Sequence, residues 1–465
     1  MIGLVPPHLS RLAQAEAFRP LGDARHPVFR WDRAGYALFY APGYVSVVGL
    51  AHADQFEACL GSPLRGGNAS AAGELWQRAG RAVLEVERQC ADPFSPESLT
   101  LYLNNECNLD CVYCYADPAG GPSLRLDARV IAAGAKEVAL HCHRKGLPLT
   151  AVFHGGGEPT LHRRELERAL ELVEAAAAGQ GIGCFRYIAT NGCLSEEAVA
   201  WLAHHFDLVG LSCDGPPEVQ DRQRPRRGGG GTSAAVARTA GVLRREGCRF
   251  HVRTTITPAT LDRQAEIAGY ICRQLAPEEI HFEPVYRGRR GDGPEARHAA
   301  GFVHHLLEAR RVAREHGVPL ACSASRPAEI HGPYCHVFRQ TVNLIPGGVA
   351  TACFQMTGDA QTLEKGLEIG RFDQAAGGFR VDQARVQALR KMLGVLPEEC
   401  AECFNRYHCV RGCPDRCPLD GPGDGLGFRC RVAKSLTYAT LVEAAETMWA
   451  ERGKDTGEAC GASIR

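Results

Sequence analysis

Three thiols stand close together at Cys107, Cys111 and Cys114, in the run CNLDCVYCY. Thiolates are ligands for soft metals and the usual holders of iron–sulfur clusters. A closed tetrahedral site wants four protein ligands, and no further Cys or His follows for many residues. Three ligands leave one coordination position open, which is what separates a reactive metal site from a structural one; the rule is stated for zinc and extends to iron by analogy. The bland alternative is that spacing i, i+4, i+7 lines three core cysteines along one helix face. Asn108 and Asp110 are polar and a strand-like run comes just before, so ligation is the better reading.

A second feature is HGGGEPT, residues 154–160. Consecutive glycines let a ligand lie against the backbone, whose amides and carbonyls then bind it. The last third holds another cysteine series: Cys335, Cys353, Cys400, Cys403, Cys409, Cys413 and Cys430. By spacing alone, zinc and iron–sulfur are equally good readings of it.

Elements must position these groups. Strand-like runs occur at 99–105, 149–155, 184–190, 208–214, 250–256 and 279–285, with helix-like stretches between them, one of them opened by Ser195 as N-cap. Strand–helix alternation implies parallel pairing with right-handed crossovers. Six such units predict an α/β fold with a partial (β/α)6 barrel of the TIM type. Its chemistry would sit at the C-terminal strand ends, where the triple cysteine and HGGGEPT both fall.

Around this barrel, at 96–295, the other pieces are an α+β extension (1–95), a connecting helix and loop (296–330), a Cys-rich segment (331–435), and a C-terminal helix and tail (436–465). In the Cys-rich segment periodicity fades and no core is evident, so metal staples are expected. The tail reads as frayed.

The chain has 465 residues, with Lys+Arg and Asp+Glu both at 53. That balance offers nothing for nucleic acid or an anionic membrane, and no apolar run is long enough to span a bilayer. The basic run Arg222–Arg227 reads as a solvated loop. The 21 cysteines, without a signal-like N-terminus, place the protein in a reducing cytoplasm. Cys59, Cys90, Cys142, Cys184, Cys193, Cys213, Cys248, Cys272 and Cys460 read mostly as small apolar residues.

Cys107-x3-Cys111-x2-Cys114, with Tyr113 before the last cysteine, resembles the signature of radical S-adenosylmethionine (SAM) enzymes. Gly156-Gly157-Glu158-Pro159 resembles their SAM-binding turn. The resemblance implies a [4Fe–4S] cluster whose open iron takes SAM, and reductive cleavage to a 5′-deoxyadenosyl radical that abstracts hydrogen from substrate. LSCDGPPEVQDRQR is similar to the corresponding stretch of anaerobic sulfatase-maturating enzymes, which implies SAM contacts at Ser212 and Arg224. Asn191 after the third strand and Tyr286 after the sixth are further implied contacts. Arg224 would suit the SAM carboxylate, because a guanidinium fork matches a carboxylate.

The later cysteines resemble the SPASM extension, which binds two auxiliary [4Fe–4S] clusters. One would take Cys400, Cys403, Cys409 and Cys430. The other would take Cys335, Cys353 and Cys413, with Cys322, Cys417 or an open position as the fourth. The resemblance spans residues 99–435 and implies a reducing partner such as flavodoxin or ferredoxin.

SPASM enzymes mostly modify peptides or proteins, so a peptide maturase is expected, forming thioether or other side-chain crosslinks. Sulfatase maturases, the alternative, carry an aspartate as proposed base after the cysteine of Gly-x4-Cys, where Cys353 is here followed by Phe354. That departure weakens a formylglycine-forming reading and leaves the catalytic base unassigned. The N-terminal extension loosely resembles the leader-peptide element of ribosomal-peptide maturases, which adds a leader strand to a sheet edge. An extension that merely closes the barrel's open side is an equal reading. From another class, a cluster-carrying electron-transfer or scaffold protein is opposed by HGGGEPT and the barrel order.

Overall fold

The computed structural model describes residues 18–62, 67–116, 123–285, 293–358, 366–409, 427–451 and 459–464. Four antiparallel strands open the described chain: β1 (Arg19–Pro20), β2 (Phe29–Asp32), β3 (Tyr36–Ala41) and β4 (Tyr44–Gly49). Helices α1 (Ala53–Ala58) and α2 (Gly67–Ala91) cover one face through Phe56, Leu75 and Ala79.

The barrel strands are β5 (Ser98–Leu101), β6 (Leu149–Phe153), β7 (Cys184–Thr190), β8 (Leu208–Ser212), β9 (Phe250–Ile256) and β10 (Glu279–Pro284). All pair in parallel with their sequence neighbours. Between and after them run α3 (Ala128–Lys145), α4 (Arg163–Ala178), α5 (Glu196–His205), α6 (Pro217–Gln223), α7 (Ser233–Arg245), α8 (Gln264–Tyr270) and α9 (Ala299–Glu315). Local chemistry sets their limits. Asp127 caps α3 by accepting from the Arg129 amide, and Gly146 ends it at φ 66°. Ser195 caps α5 by accepting from the Ala198 amide at 3.2 Å. Strand residues alternate: Leu149, Ala151 and Phe153, like Phe250, Val252 and Ile256, enter the main core, while Thr150, Val152, His251, Arg253 and Thr255 face the concave side. Burying each large side chain contributes about 2 kcal/mol.

The sheet extends past the six expected strands. β11 (Leu320–Ala321) joins β10, and β12 (Thr341–Ile345) joins β5 in parallel. β13 (Val349–Thr351), β14 (Glu368–Asp373) and β15 (Gly378–Val381) continue it as antiparallel pairs. Residues 341–393 therefore have a core after all, shared with the barrel through Val342, Leu344, Ile369, Phe372, Val386 and Leu389. Periodicity missed it because these strands are short, and β12 and β13 are buried on both faces. The tail also differs from expectation. β16 (Cys460–Ser463) pairs antiparallel with β4, and Ile464 packs into the apolar cluster beside it. The C-terminal helix Phe428–Glu451 covers the second face of the N-terminal sheet through Tyr438, Leu441 and Ala445. Among the described residues no helix is long and apolar enough to cross a membrane.

Candidate active site at the strand ends

After β5 the chain leaves the sheet and runs through 102–116 as an irregular loop, with no helix to line the cysteines along one face. Asn104, buried and following the strand, holds the turn: its side-chain oxygen accepts from the Glu106 amide at 2.9 Å and its amide donates to Glu158 O at 3.2 Å. Farther along, Asp110 N donates to Pro225 O at 2.9 Å and Val112 N to Gln223 O at 3.0 Å, tying the loop to the end of α6.

Cys107, Cys111 and Cys114 stand in this loop, Cys111 buried and the others half-buried. Each lies close enough for its charge to act on the others. The ligands of a single zinc ion sit about 3.8 Å apart. Among the described residues, the only His, Cys, Asp or Glu group gathered within 4.8 Å is His304, His305 and Glu308 on α9. At least one pair of the three sulfurs therefore lies farther apart than 4.8 Å, wider than one ion would hold it. Burial pushes the Cys107 thiol up and Cys111 up to about 12, and in both the Arg224 charge opposes this. A bound metal would deprotonate such thiols outright.

The glycine run meets the same loop. Gly155 and Gly156 have φ of 104° and 71°, which side-chain residues rarely adopt. A Cβ on Gly155 would lie 2.3 Å from the Tyr102 ring, on Gly156 2.4 Å from Asn104 O, and on Gly157 1.9 Å from Glu106 O. The close approach that the glycines permit is made first by the cysteine loop itself, whose Asn104 O accepts from Gly157 N at 2.9 Å. Glu158 is 3% exposed, and its carboxylate accepts from Thr160 Oγ1 (2.7 Å), Thr190 Oγ1 (2.8 Å) and Asn191 N (2.7 Å). Burial raises its pKa against those bonds. Glu158, expected as a cofactor contact, ties the second strand end to the third.

Asn191 extends that tie toward the cysteines, donating to Asn108 Oδ1 at 2.7 Å and to Cys107 Sγ at 3.8 Å. Tyr113 donates to Asp214 Oδ2 at 2.6 Å and accepts from Arg224 Nη1 at 2.7 Å. Asp214 is itself fixed by Gln223 Nε2 and Thr255 N, at 2.9 and 3.0 Å. Arg224, expected in a solvated run, is only 9% exposed, and its Nε is buried with no hydrogen-bond partner. That orphaned donor beside Cys111 fits an anionic ligand group. Ser212 ends β8, half-buried on the concave side. Sequence reasoning passed over Asn104, Asp214 and Gln223; the polar pair after β5 and the Asp following Ser212-Cys213 were the available signals.

The other expected ligands are spread out. Cys335 and Cys353 are half-buried at the edge of the main core, and the Cys335 thiol donates to Ala352 O at 3.7 Å. Cys322 is a core residue, pushed up to about 12 by burial among Glu283, Arg310 and Arg429. Cys400 lies in the short helix Glu398–Ala401, Cys403 and Cys409 lie in the turns after it, and Cys430 is in the first turn of the C-terminal helix. Cys413, Cys417 and Tyr286 lie outside the described residues. Phe354 is 40% exposed, with Tyr115 and His336 each 6.0 Å away between ring centroids.

Residues 101–270 match the family model described as the Radical SAM superfamily. A serine-type anaerobic sulfatase-maturating enzyme of Klebsiella aerogenes is 25% identical over 350 residues, 70% of this chain and 82% of that protein. Among solved structures, anSMEcpe with bound AdoMet superposes with a TM-score of 0.59 at 18% identity, covering 76% of this chain and 96% of that one. The same protein with AdoMet and the Kp18Cys peptide gives 0.58 at 19% identity, covering 75% and 99%.

Proposed function

We propose that this chain, a radical SAM protein across residues 101–270, is a maturase that modifies a side chain of a peptide or protein by hydrogen-atom abstraction. One observation carries the reading: three thiols and the buried, partnerless Nε of Arg224 meet at the same strand ends. Cys107, Cys111 and Cys114 would hold a [4Fe–4S] cluster with one iron left open. Arg224, Asn191, Ser212 and the Gly156–Gly157 turn would hold SAM. When bound, this pair supplies an electron that cleaves SAM, and the resulting radical takes a hydrogen atom from the substrate.

The chain's own residues do the positioning. Arg224 Nε would donate to the SAM carboxylate while Tyr113 and Asp214 hold the guanidinium in place. Glu158 and Asn191 keep the Cys107 side of the loop against the third strand end. Cys400, Cys403, Cys409 and Cys430 would hold one auxiliary cluster; Cys335, Cys353 and Cys413 would hold another. Its fourth ligand would be Cys322, Cys417 or an open position. A low-potential flavodoxin or ferredoxin would deliver the electron.

Thioether or other crosslinking is the favoured outcome. Oxidation of Cys or Ser to formylglycine is the second reading, supported by the name of the Klebsiella relative. Against it stands Phe354, an aromatic side chain where those enzymes carry their proposed base. Anaerobic reconstitution with iron and sulfide, reduction, and addition of SAM tests the proposal. Release of 5′-deoxyadenosine and methionine is expected. Absence of both from iron-loaded protein would overturn it.

A further inference from the structure

One charge on the concave side of the sheet has no part in the site described above. Arg253 lies on β9 between Val252 and Thr254, which are buried toward the helices, and its side chain is 44% exposed. Its Cα pairs with that of Ser212 on β8 and that of His281 on β10. In the sheet β6 and β9 are three steps apart, about 14 Å along the hydrogen-bonding direction. Yet the Arg253 charge acts on His154 at the end of β6, on Tyr187 of β7 and on His251 of its own strand. The guanidinium stands on the concave side, its Nη2 3.9 Å from Glu283 of β10, with its charge felt across the concavity.

Within that chamber Arg253 is poorly matched. Its nearest carboxylate is Glu283, at 3.9 Å, too far for a hydrogen bond. Both Glu283 oxygens already accept from Ser323, one from its amide at 3.3 Å and one from its hydroxyl. Among the described residues the guanidinium donates no hydrogen bond, which leaves its donor fork available to a ligand. His154 and His251 add no charge: burial, with Arg253 next in effect, holds His154 down to about 4, and burial, His281 and Arg253 hold His251 down to about 3.

We propose that Arg253 recognises a carboxylate of the peptide substrate, either an acidic side chain or a free C-terminus, and anchors it inside the concave chamber. A planar fork of donors matches a carboxylate two bonds at a time, and low-dielectric walls strengthen the pair. The register beside Ser212 sets the anchored residue next to an expected SAM contact, so its neighbour in the peptide is presented for hydrogen abstraction. This inference rests on the maturase reading and adds a substrate class to it.

The test uses reconstituted full-length protein and three randomised peptide pools with amidated C-termini: one containing Asp and Glu, one with Asn and Gln in their place, and one with Lys and Arg. A fourth pool repeats the Asn/Gln composition with free C-termini. The readout is 5′-deoxyadenosine released above the peptide-free rate, taken as ratios between pools. In the unmodified protein the acidic pool should exceed the amide pool by about tenfold, equivalent to 1.4 kcal/mol. Arg253→Gln should bring that ratio near one, and Arg253→Glu should make the basic pool the best. Stimulation by the free-C-terminus pool equal to that by the acidic pool would assign the carboxylate to the chain end; otherwise it is a side chain. An acidic-to-amide ratio unchanged in Arg253→Gln overturns the inference, and a tenfold weaker SAM affinity in that same variant would make Arg253 a cofactor contact instead. Equal stimulation by all pools sinks this inference alone. No stimulation by any pool sinks the maturase reading and this inference with it.

Discussion

The two cysteine regions are built in opposite ways. The loop with Cys107, Cys111 and Cys114 is held almost entirely by its own barrel, through Asn104, Glu158, Asn191, Gln223 and Asp214. The stretch between Cys403 and Cys409 reaches outward, and its residues dock on different parts of the chain. Phe404 stacks on Phe18, with ring centroids 4.7 Å apart, and enters the N-terminal sheet's core. Asn405 accepts from Thr437 on the C-terminal helix at 2.6 Å, and Tyr407 O accepts from His331 N at 3.0 Å. His408 meets Tyr40 of β3 and donates through Nδ1 to Glu329 O at 2.7 Å. The first region is a preformed cradle within one sheet. The second is a junction among three segments distant in sequence, where bound metal would act as a staple.

If that contrast is right, losing a ligand in each region has separable consequences. Cys111→Ala should reduce 5′-deoxyadenosine formation to background while iron at the C-terminal cysteines persists, as read by product chromatography and iron analysis. Cys403→Ala should do something different: lower C-terminal iron and speed hydrogen exchange in β3 and the C-terminal helix. Cleavage that survives in Cys111→Ala would show that the cluster assignment is wrong. Fast exchange in β3 after the Cys111 change would show that the two regions are one unit.

Phe404→Ala probes the junction without touching a thiol. A buried phenylalanine removed from a packed core costs about 3–4 kcal/mol. The loss should appear as a lower midpoint in denaturant for the N-terminal sheet, with SAM cleavage per bound iron nearly unchanged. Equal loss of cleavage would mean that the cradle depends on the junction.

Gly157→Ala probes the cradle the same way. The new Cβ would meet Glu106 O at 1.9 Å and the Asn104 side-chain oxygen at 2.4 Å, and the backbone oxygen has no room to give. Forcing the loop away should cost about 2 kcal/mol. Iron uptake at the mouth should fall, while the junction's iron is retained. Full uptake in this variant would mean that the loop is softer than its hydrogen bonds suggest.

The difference between the regions also explains what was legible in the sequence. Strands at 184–190 and 250–256 agree with the periodic signal residue for residue, because one face packs on helices and the other on the chamber. Ser195 was readable as a cap because capping is local chemistry. The triple cysteine and HGGGEPT were legible as neighbours because parallel strands put consecutive strand ends together. What was not legible depended on distant partners. β12 looked structureless until β5 supplied its neighbour, and β16 looked frayed until β4 did. The burial of Arg224 within a basic run was not legible, because nothing local announces that Tyr113, more than a hundred residues earlier, closes over it.

Acid offers the mildest test of whether the barrel and the junction respond separately. His251 accepts from or donates to the Tyr187 hydroxyl at 3.2 Å and sits on the concave side of β9. Burial first, then the neighbouring His281 and Arg253, hold its pKa down to about 3, against 6.5 for an ordinary histidine. The imidazole is therefore neutral in the fold, while the unfolded chain takes up a proton. Its contribution is fully present above pH 6.5 and is lost as pH falls from there toward 3. At pH 5 the loss should be about 1–2 kcal/mol after allowance for partial solvent access. In His251→Gln the barrel's stability should fall less steeply between pH 7 and pH 5 than in the unmodified protein, measured by denaturant midpoints at each pH. Exchange rates in β3 should follow the same pH course in both proteins, because the junction carries its own buried histidine at 408. Parallel slopes for the two proteins would remove His251 as the source of acid sensitivity. A changed slope in β3 would couple the chamber to the junction and break the division drawn here.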